Sequence, residues 1–355
     1  MITTLFTPTN LGKLQLKNRI VMPPLTRSRA IGNVPNELLE KYYRLRADAG
    51  LIITEGTSPS PNGLGYARIP GMFSDAQVQG WKCVTDGVHQ AGGKIFVQLM
   101  HCGRVCHTAN MPAGSKVIAP SAIALTGDMW TDSIGMQANS IPAEMSEVDI
   151  AHTIAEYVTA AKRAIEAGFD GVELHGANGY LIDQFLNTAS NQRTDQWGGS
   201  IENRIRFAVE IAKATAAAIG ADRIGMRISP YGAFNGMTPD ALMDTLYERL
   251  INELNGVGLA YIHIVDHSAM GAPEVSPTLK AKLRDMFKGA YIMSGGYDLA
   301  RANADLDAKR GDLVAFGRPF ISNPDLVKKL ENGTELTAPD ASTFYTPGEK
   351  GYTDY

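Results

Sequence analysis

The run Ile224-Gly-Met-Arg-Ile228 is apolar almost continuously, with one charge, Arg227, set inside it. An alternating pattern would mark a strand with one wet face; a continuous run marks a strand buried on both, as parallel strands are. Seven more such runs, rich in Val, Ile and Tyr, centre on Ile20, Ile52, Ile95, Val172, Tyr261, Tyr291 and Val314. Neighbouring centres lie 23 to 77 residues apart, room in every case for a crossover helix. The stretches between them carry helical periodicity. Ser74 with Gln77 forms a capping box ahead of Val78, Trp81 and Val88. Ser146 opens a helix with Ile150, Ile154, Val158 and Ile165 on one stripe. Thr238-Pro239 reads as an N-cap and first helical position, followed by Leu242, Leu246, Leu250 and Leu254. Eight strand–helix units predict a (β/α)8 barrel of the α/β class, one domain over residues 1–355. A doubly wound sheet is the alternative, but no G-x-G-x-x-G follows the first strand. The stretch from Met100 to Met145 is rich in Gly, Pro and polar residues and lacks a helical pattern. In a barrel it is expected to overhang the catalytic face as a lid or hairpin.

Composition narrows the class of function. Lys and Arg total 33 against 37 Asp and Glu, a formal net charge of −4. Hydrophobic residues at 44% exclude intrinsic disorder, and a slightly acidic chain gives no electrostatic case for nucleic acid or anionic lipid. No stretch approaches the ~18 apolar residues of a membrane-spanning helix. Met1 to Asn10 lacks the basic start and apolar run of a signal peptide. Cys83, Cys102 and Cys106 are too few for a disulfide framework, so a reducing cytoplasm is the expected compartment.

Barrel chemistry sits at the C-terminal ends of strands. The residues there are Thr26, Gly56, Gln98, then His175 with Asn178 and Tyr180, then Arg227, Ser294-Gly295-Gly296 and Gly317-Arg318. Gly296, Gly317 and Arg318 suggest an anion site, since glycines let backbone N–H groups approach a phosphate and a guanidinium adds a bidentate charge; otherwise these glycines only make tight turns. His175 and Asn178 are three apart, and on a helical turn both would face one oxygen and polarise it. Tyr180, with a reference pKa of about 10, stays protonated at neutral pH. The alternative is that His175 caps a loop and Tyr180 packs in the core. Arg227 needs a partner, because a lone buried charge is costly: a structural carboxylate or an anionic cofactor. His101-Cys102 and Cys106-His107 have no second ligand cluster, so no metal site is expected, and three cysteines cannot hold an all-cysteine iron–sulfur cluster.

Taken in order, several segments resemble the Old Yellow Enzyme family of FMN-dependent ene-reductases. They are Leu5-Phe-Thr-Pro8, Asn18-Arg-Ile-Val-Met-Pro-Pro-Leu-Thr26, Ile53-Thr-Glu-Gly56, Val97-Gln-Leu99 and Glu173-Leu-His-Gly-Ala-Asn-Gly-Tyr-Leu181. Asn191-Gln-Arg-Thr-Asp-Gln-Trp-Gly-Gly-Ser-Ile-Glu-Asn-Arg204, Gly317-Arg-Pro-Phe320 and Phe344-Tyr-Thr-Pro-Gly348 complete the set. The resemblance implies non-covalent FMN at the strand ends, with Pro24 and Thr26 against the ring, Gly56 and Gln98 at its polar edge, and Arg227 near N1 and O2. Gly296, Gly317 and Arg318 would hold the phosphate. It also implies ping-pong turnover: NAD(P)H reduces FMN, and an α,β-unsaturated carbonyl, maleimide or nitro compound then takes hydride at Cβ. His175 and Asn178 would bond the substrate oxygen and Tyr180 would protonate Cα. Tyr66 and Tyr345 resemble the family's pocket-wall aromatics. Thr26 and the His175–Asn178 pair point to the classical, N-ethylmaleimide reductase-like branch. Met100 departs from it, standing where many classical members carry a pocket-wall Trp. Two other classes stay open. A barrel lyase or aldolase on a phosphorylated substrate would need a strand-end Lys, which is missing. A flavoprotein that binds or senses without turnover would not oxidise NAD(P)H with an enone.

Overall fold

The computed structural model describes residues 4–355; the first three residues of the segment Met1 to Asn10 lie outside the described residues. All eight apolar runs are strands of one closed parallel barrel. They are β1 (Ile20–Met22), β2 (Leu51–Thr57), β3 (Ile95–Leu99), β4 (Gly171–Gly176), β5 (Ile224–Ile228), β6 (Tyr261–Val265), β7 (Ala290–Ser294) and β8 (Leu313–Ala315). Strands pair in chain order, and β8 closes on β1 with Val314 opposite Ile20. Outward residues such as Ile52, Val97, Val172 and Leu174 pack in the large core shared with the helices. Inward residues Val21, Ile53, Phe96, Ile292 and Leu313 form a second core inside the barrel. Leu11 and Leu16 join that inner core from an antiparallel hairpin, Thr9–Leu11 with Leu14–Leu16, which closes the N-terminal end of the barrel. The hairpin has no counterpart in the eight-unit reading. A register shift in β2 between Ile53 and Gly56 sets Gly56 opposite Gln98 at the other end.

The helix Asp75–Gln90 carries the capping box expected at Ser74, its hydroxyl accepting from the Gln77 N–H. The helix Glu147–Glu166 likewise starts at Ser146, but its buried stripe is Ile150, Thr153, Tyr157, Ala160, Ala161 and Ala164. Ile154, Val158 and Ile165 lie only half buried beside it. Alanines bring this helix close to its neighbours, so small residues outcompete the branched ones for the inner face. Thr238-Pro239 is a second correction. The helix there is Met243–Val257, because the Asp240 side chain accepts from the Leu242 N–H and pairs with buried Arg204 instead of extending the helix upstream. Leu246, Leu250 and Leu254 are buried as the spacing requires, whereas Leu242 precedes the helix and is exposed.

Residues 100–145 hold no α-helix and include a hairpin, Asp128–Thr131 against Gly135–Ala138. Across from it runs the C-terminal tail, which has no strand partner for its carbonyls. Two buried guanidiniums supply one. Arg29 donates to the carbonyls of Thr343 (2.9 Å), Phe344 (3.1 Å), Gly348 (2.9 Å) and Lys350 (2.9 Å). Arg27 donates to Phe344 (3.1 Å) and Gly351 (2.6 Å). Tyr352 stacks on Tyr42 with ring centroids 4.0 Å apart. Removing Arg29 takes a charged donor from four carbonyls and leaves those of Gly348 and Lys350 with none among the described residues, since Phe344 keeps Arg27 and Thr343 keeps the Thr346 hydroxyl; each lost bond is worth about 1 kcal/mol or more when its donor is charged. Arg29→Ala is therefore expected to expose the chain beyond Asp340 to limited proteolysis and to lower the urea midpoint, while the barrel keeps its far-ultraviolet spectrum. An unchanged cleavage rate would show that the tail is held by its ring stacking instead.

Candidate active site

His175 is the last inward side chain of β4. The chain then turns through Asn178 (φ 61°) and Gly179 (φ 75°) before the short helix Leu181–Leu186, which starts just after Tyr180. His175 and Asn178 thus do not share a helical turn. One is on a strand and the other is in the left-handed region, where Asn is tolerated better than most residues. The turn itself is held from within and without. Asp183 accepts from the Gly179 N–H at 2.8 Å. Gln184 donates to the carbonyls of Gly179 (2.8 Å) and Cys102 (3.0 Å), and the His101 carbonyl accepts from the Leu181 N–H at 3.0 Å. The loop after β3 is thereby tied to the loop after β4. Burial pushes the Asp183 carboxyl up to about 7 and His101 down to about 3.

The His175 ring centroid lies 5.1 Å from that of Tyr180, tilted by 51°. The Tyr180 hydroxyl is 3.0 Å from that of Tyr66. Burial, then the charge of Arg227, holds the His175 imidazole well below its ordinary value. Burial raises the Tyr180 phenol well above its own. At neutral pH both are uncharged proton donors. His175 Nδ1 is buried with no hydrogen-bond partner. The three chemistry-bearing residues of this motif are brought together at one end of the barrel, with Tyr66 added.

Sequence reasoning missed four participants. Glu173, two residues before His175 and fully buried, accepts from Gln98 Nε2 (2.8 Å), Tyr261 Oη (3.1 Å) and His263 Nδ1 (2.9 Å). The inward alternation of β4 with His175 could have pointed to Glu173. The fourth, His267, sits in the loop after β6, with Nε2 2.7 Å from Asn178 Oδ1. Arg227 lies opposite both His175 and His263 on the neighbouring strands. Its Nε is buried and unpartnered. Burial lowers its pKa first of all, and Glu173 opposes that through space.

The residues expected to hold FMN are distributed around the same end. Pro24 and Thr26 follow β1 half buried, and Gly56 and Gln98 face each other across β2 and β3. Gly295 (φ 137°) and Gly296 (φ 61°) follow β7. Gly317 opens the helix Gly317–Ser322, with Arg318 exposed beside it. An anionic, hydrogen-bond-accepting group fits this set, because it answers the Arg227 guanidinium, which no carboxylate among the described residues contacts. Of the three pocket residues, Tyr66 touches Tyr180 directly. Met100 is 1% exposed and fills the space a side chain at Gly56 would need. Tyr345 rides on the tail and is 62% exposed.

The Asn191–Arg204 signature lies outside this cluster and is scaffolding. Asn191 donates to the carbonyls of Phe185 and Trp197 (both 2.8 Å), Arg193 to those of Pro120 (3.0 Å) and Met145 (2.6 Å), and Arg204 to that of Leu186 (2.8 Å). It thus supports the loop that follows the Tyr180 helix. No helix among the described residues is long and apolar enough to cross a membrane.

The model of the NADH:flavin oxidoreductase / NADH oxidase family matches residues 4–337. The chain belongs to this family. It is 43% identical to a chanoclavine-I aldehyde reductase of Penicillium roqueforti, over all of this chain and 96% of that protein. It is 40% identical to a probable flavin mononucleotide-dependent alkene reductase of Leishmania infantum, over all of this chain and 97% of that protein. Among solved structures, it matches morphinone reductase in complex with tetrahydroNAD with a TM-score of 0.94 at 44% identity, over 99% of this chain and 97% of that one. An Old Yellow Enzyme homologue from Zymomonas mobilis matches with a TM-score of 0.95 at 38% identity, over 99% of both chains. The barrel and the Old Yellow Enzyme resemblance are borne out, and this family member is an FMN-dependent oxidoreductase.

Arg227 tests the fit of the cofactor without reference to turnover. A buried, unpaired charge destabilises the ligand-free protein, and replacement by an apolar side chain of similar length relieves that cost. Arg227→Met is expected to leave the apoprotein at least as resistant to urea as the parent, yet to weaken FMN binding about tenfold or more in a fluorescence titration. An apoprotein several kcal/mol less stable would mark Arg227 as a structural ion-pair member.

Proposed function

We propose that this family member reduces the activated C=C bond of α,β-unsaturated carbonyl, maleimide or nitro compounds at the His175–Asn178–Tyr180 cluster, with NAD(P)H as the hydride source. We place it, on its cysteine usage, in the cytoplasm, and treat residues 1–355 as one catalytic unit. The observation that carries the reading is the Tyr180 hydroxyl, kept protonated by burial, bonded to Tyr66 and packed against a neutral His175.

Pro24, Thr26, Gly56, Gln98 and Arg227 would hold the flavin ring and Gly296, Gly317 and Arg318 its phosphate. FMN, when bound, supplies reversible acceptance and donation of a hydride. The protein's share is polarisation and proton supply. His175 and Asn178 donate N–H groups to the substrate oxygen, which draws electron density from the double bond. The Tyr180 Oη proton goes to the substrate carbon α to the carbonyl. Tyr66 Oη fixes the rotamer of Tyr180 through their shared hydrogen bond. Tyr66 and Tyr345 would bound the pocket, with Met100 behind them where a bulkier residue would press on Gly56.

The two half-reactions separate these roles. Tyr180→Phe is expected to retain FMN and to be reduced by NADPH within about twofold of the parent rate, while reoxidation by 2-cyclohexenone falls about 100-fold or more, the usual worth of a general acid. Replacing both His175 and Asn178 with Ala should weaken enone binding with little loss of FMN. Because burial lowers the His175 pKa, the ring loses its proton below the ordinary imidazole range, so His175 contributes no acid limb to the enone rate around neutrality. Slowing of the reductive half alone in Tyr180→Phe would remove Tyr180 from the proton-donor role.

A further inference from the structure

Asn178 is held on three sides by two loops it does not belong to. Its N–H donates to Ser229 Oγ at 2.9 Å, and its carbonyl accepts from Asn235 Nδ2 at 2.7 Å. Both partners lie in the loop after β5, and together they fix the main chain at a positive φ. They do not fix the side chain. The last torsion of an Asn side chain is broad and roughly two-fold, so the amide can present either its oxygen or its nitrogen at similar steric cost. The third contact distinguishes the two ends: His267 Nε2 lies 2.7 Å from Asn178 Oδ1.

His267 is itself held in place. It is 9% exposed, and Phe234 packs edge-on against its ring at 4.6 Å between centroids. The adjacent Asp266 is engaged elsewhere, accepting from the Ser268 N–H at 2.8 Å and pairing with Lys280. Burial first, then Arg227, lowers the His267 pKa to about 4, so the ring is neutral and carries a single N–H. Two pairings are possible. If Nε2–H donates to Oδ1, the planar amide turns its Nδ2 protons away from His267 and can offer them to a ligand. If instead Nδ2 donated to a bare Nε2, the amide would turn Oδ1 toward the ligand and repel a carbonyl or nitro oxygen. The first pairing leaves both Nδ2 protons free for the ligand; the second commits one of them to His267 and turns Oδ1 toward the ligand.

We propose that His267 is a positioning residue that orients the Asn178 amide so that Nδ2 donates to the substrate oxygen. This rests on the reading of Asn178 as a substrate donor. Nothing on Asn178 itself could set that orientation.

The test uses the FMN-loaded enzyme and 2-cyclohexenone, with binding to the oxidised protein read from the shift in flavin absorption and turnover from NADPH oxidation. His267→Phe keeps a ring against Phe234 but has no N–H; His267→Gln keeps a donor. Each is made alone and together with Asn178→Ala. His267→Phe should raise the enone Kd about tenfold, of the order of one lost hydrogen bond, with FMN content unchanged. His267→Gln should stay within about twofold of the parent. In the Asn178→Ala background, His267→Phe should have no further effect, since the two act through one contact. If the Phe variant fails to retain FMN, His267→Met against His267→Gln, alike in size and differing in the donor, decides the same point. A parent-like Kd in His267→Phe, beside a weakened Asn178→Ala, would overturn the positioning role and leave Asn178 as a donor. A loss that persists at full size without Asn178 would also overturn it. A parent-like Kd in Asn178→Ala would instead remove the reading of Asn178 on which the proposal rests.

Discussion

Glu173 stands fully buried inside a barrel whose N-terminal end is closed by the Leu11–Leu16 hairpin. With bulk water shut out from below, a carboxylate there is tolerable only if the protein satisfies it. Gln98 reaches it from β3, and Tyr261 and His263 reach it from β6. These contacts join three strands on one side of the barrel, so they fix the relative heights of β3, β4 and β6. A slip of any one strand would break a bond in a medium where a lost bond costs most. The upper ends of those strands carry the proposed chemistry: Gln98 itself, His175 two residues above Glu173, and the loop that brings in His267. The geometry at the mouth therefore depends on the clamp beneath it.

Above that layer the loops are built against one another. The turn containing Asn178 and Tyr180 is tied to the loop after β3 by Gln184 and to the loop after β5 by Ser229 and Asn235. A left-handed Asn is an unfavourable conformation that persists only where its surroundings over-determine it. Here every polar backbone atom of Asn178 is engaged, so the turn is set before substrate arrives. Such preorganisation is what makes hydrogen-bond donors effective toward developing charge.

The barrel was legible in the sequence because each strand is a continuous apolar run with a helical stretch before the next one. The convergence of His175, Asn178 and Tyr180 on the mouth was legible for a related reason: residues just past a strand's end face it. Their geometry was not. Spacing of three suggests a helical turn, whereas the φ of Asn178 is imposed by Ser229 and Asn235, more than 50 residues away. His267 was hidden likewise, its partner being 89 residues distant in the chain. Glu173 was hidden by its setting, since one polar residue in an apolar strand looks like an edge or a register fault until the inward face is known. The start of the helix at Met243 was misread because Asp240 spends its carboxylate on Arg204 and on the Leu242 N–H, a tertiary contact overriding a local N-cap signal.

His175 and Arg227 lie directly opposite each other on β4 and β5. Each has a buried nitrogen without a partner, Nδ1 on the first and Nε on the second. In an otherwise closed barrel, two adjacent unsatisfied groups would be selected against if they only served stability. A ligand that brings acceptors to that spot would offset both costs. An electron-rich ring edge beside Arg227 and a carbonyl oxygen beside His175 are ligands of that kind. Binding energy spent there would orient both partners at once. Stability and chemistry are coupled at this pair of strands. A substitution that satisfies either nitrogen internally should make the empty protein more robust and the loaded one less capable.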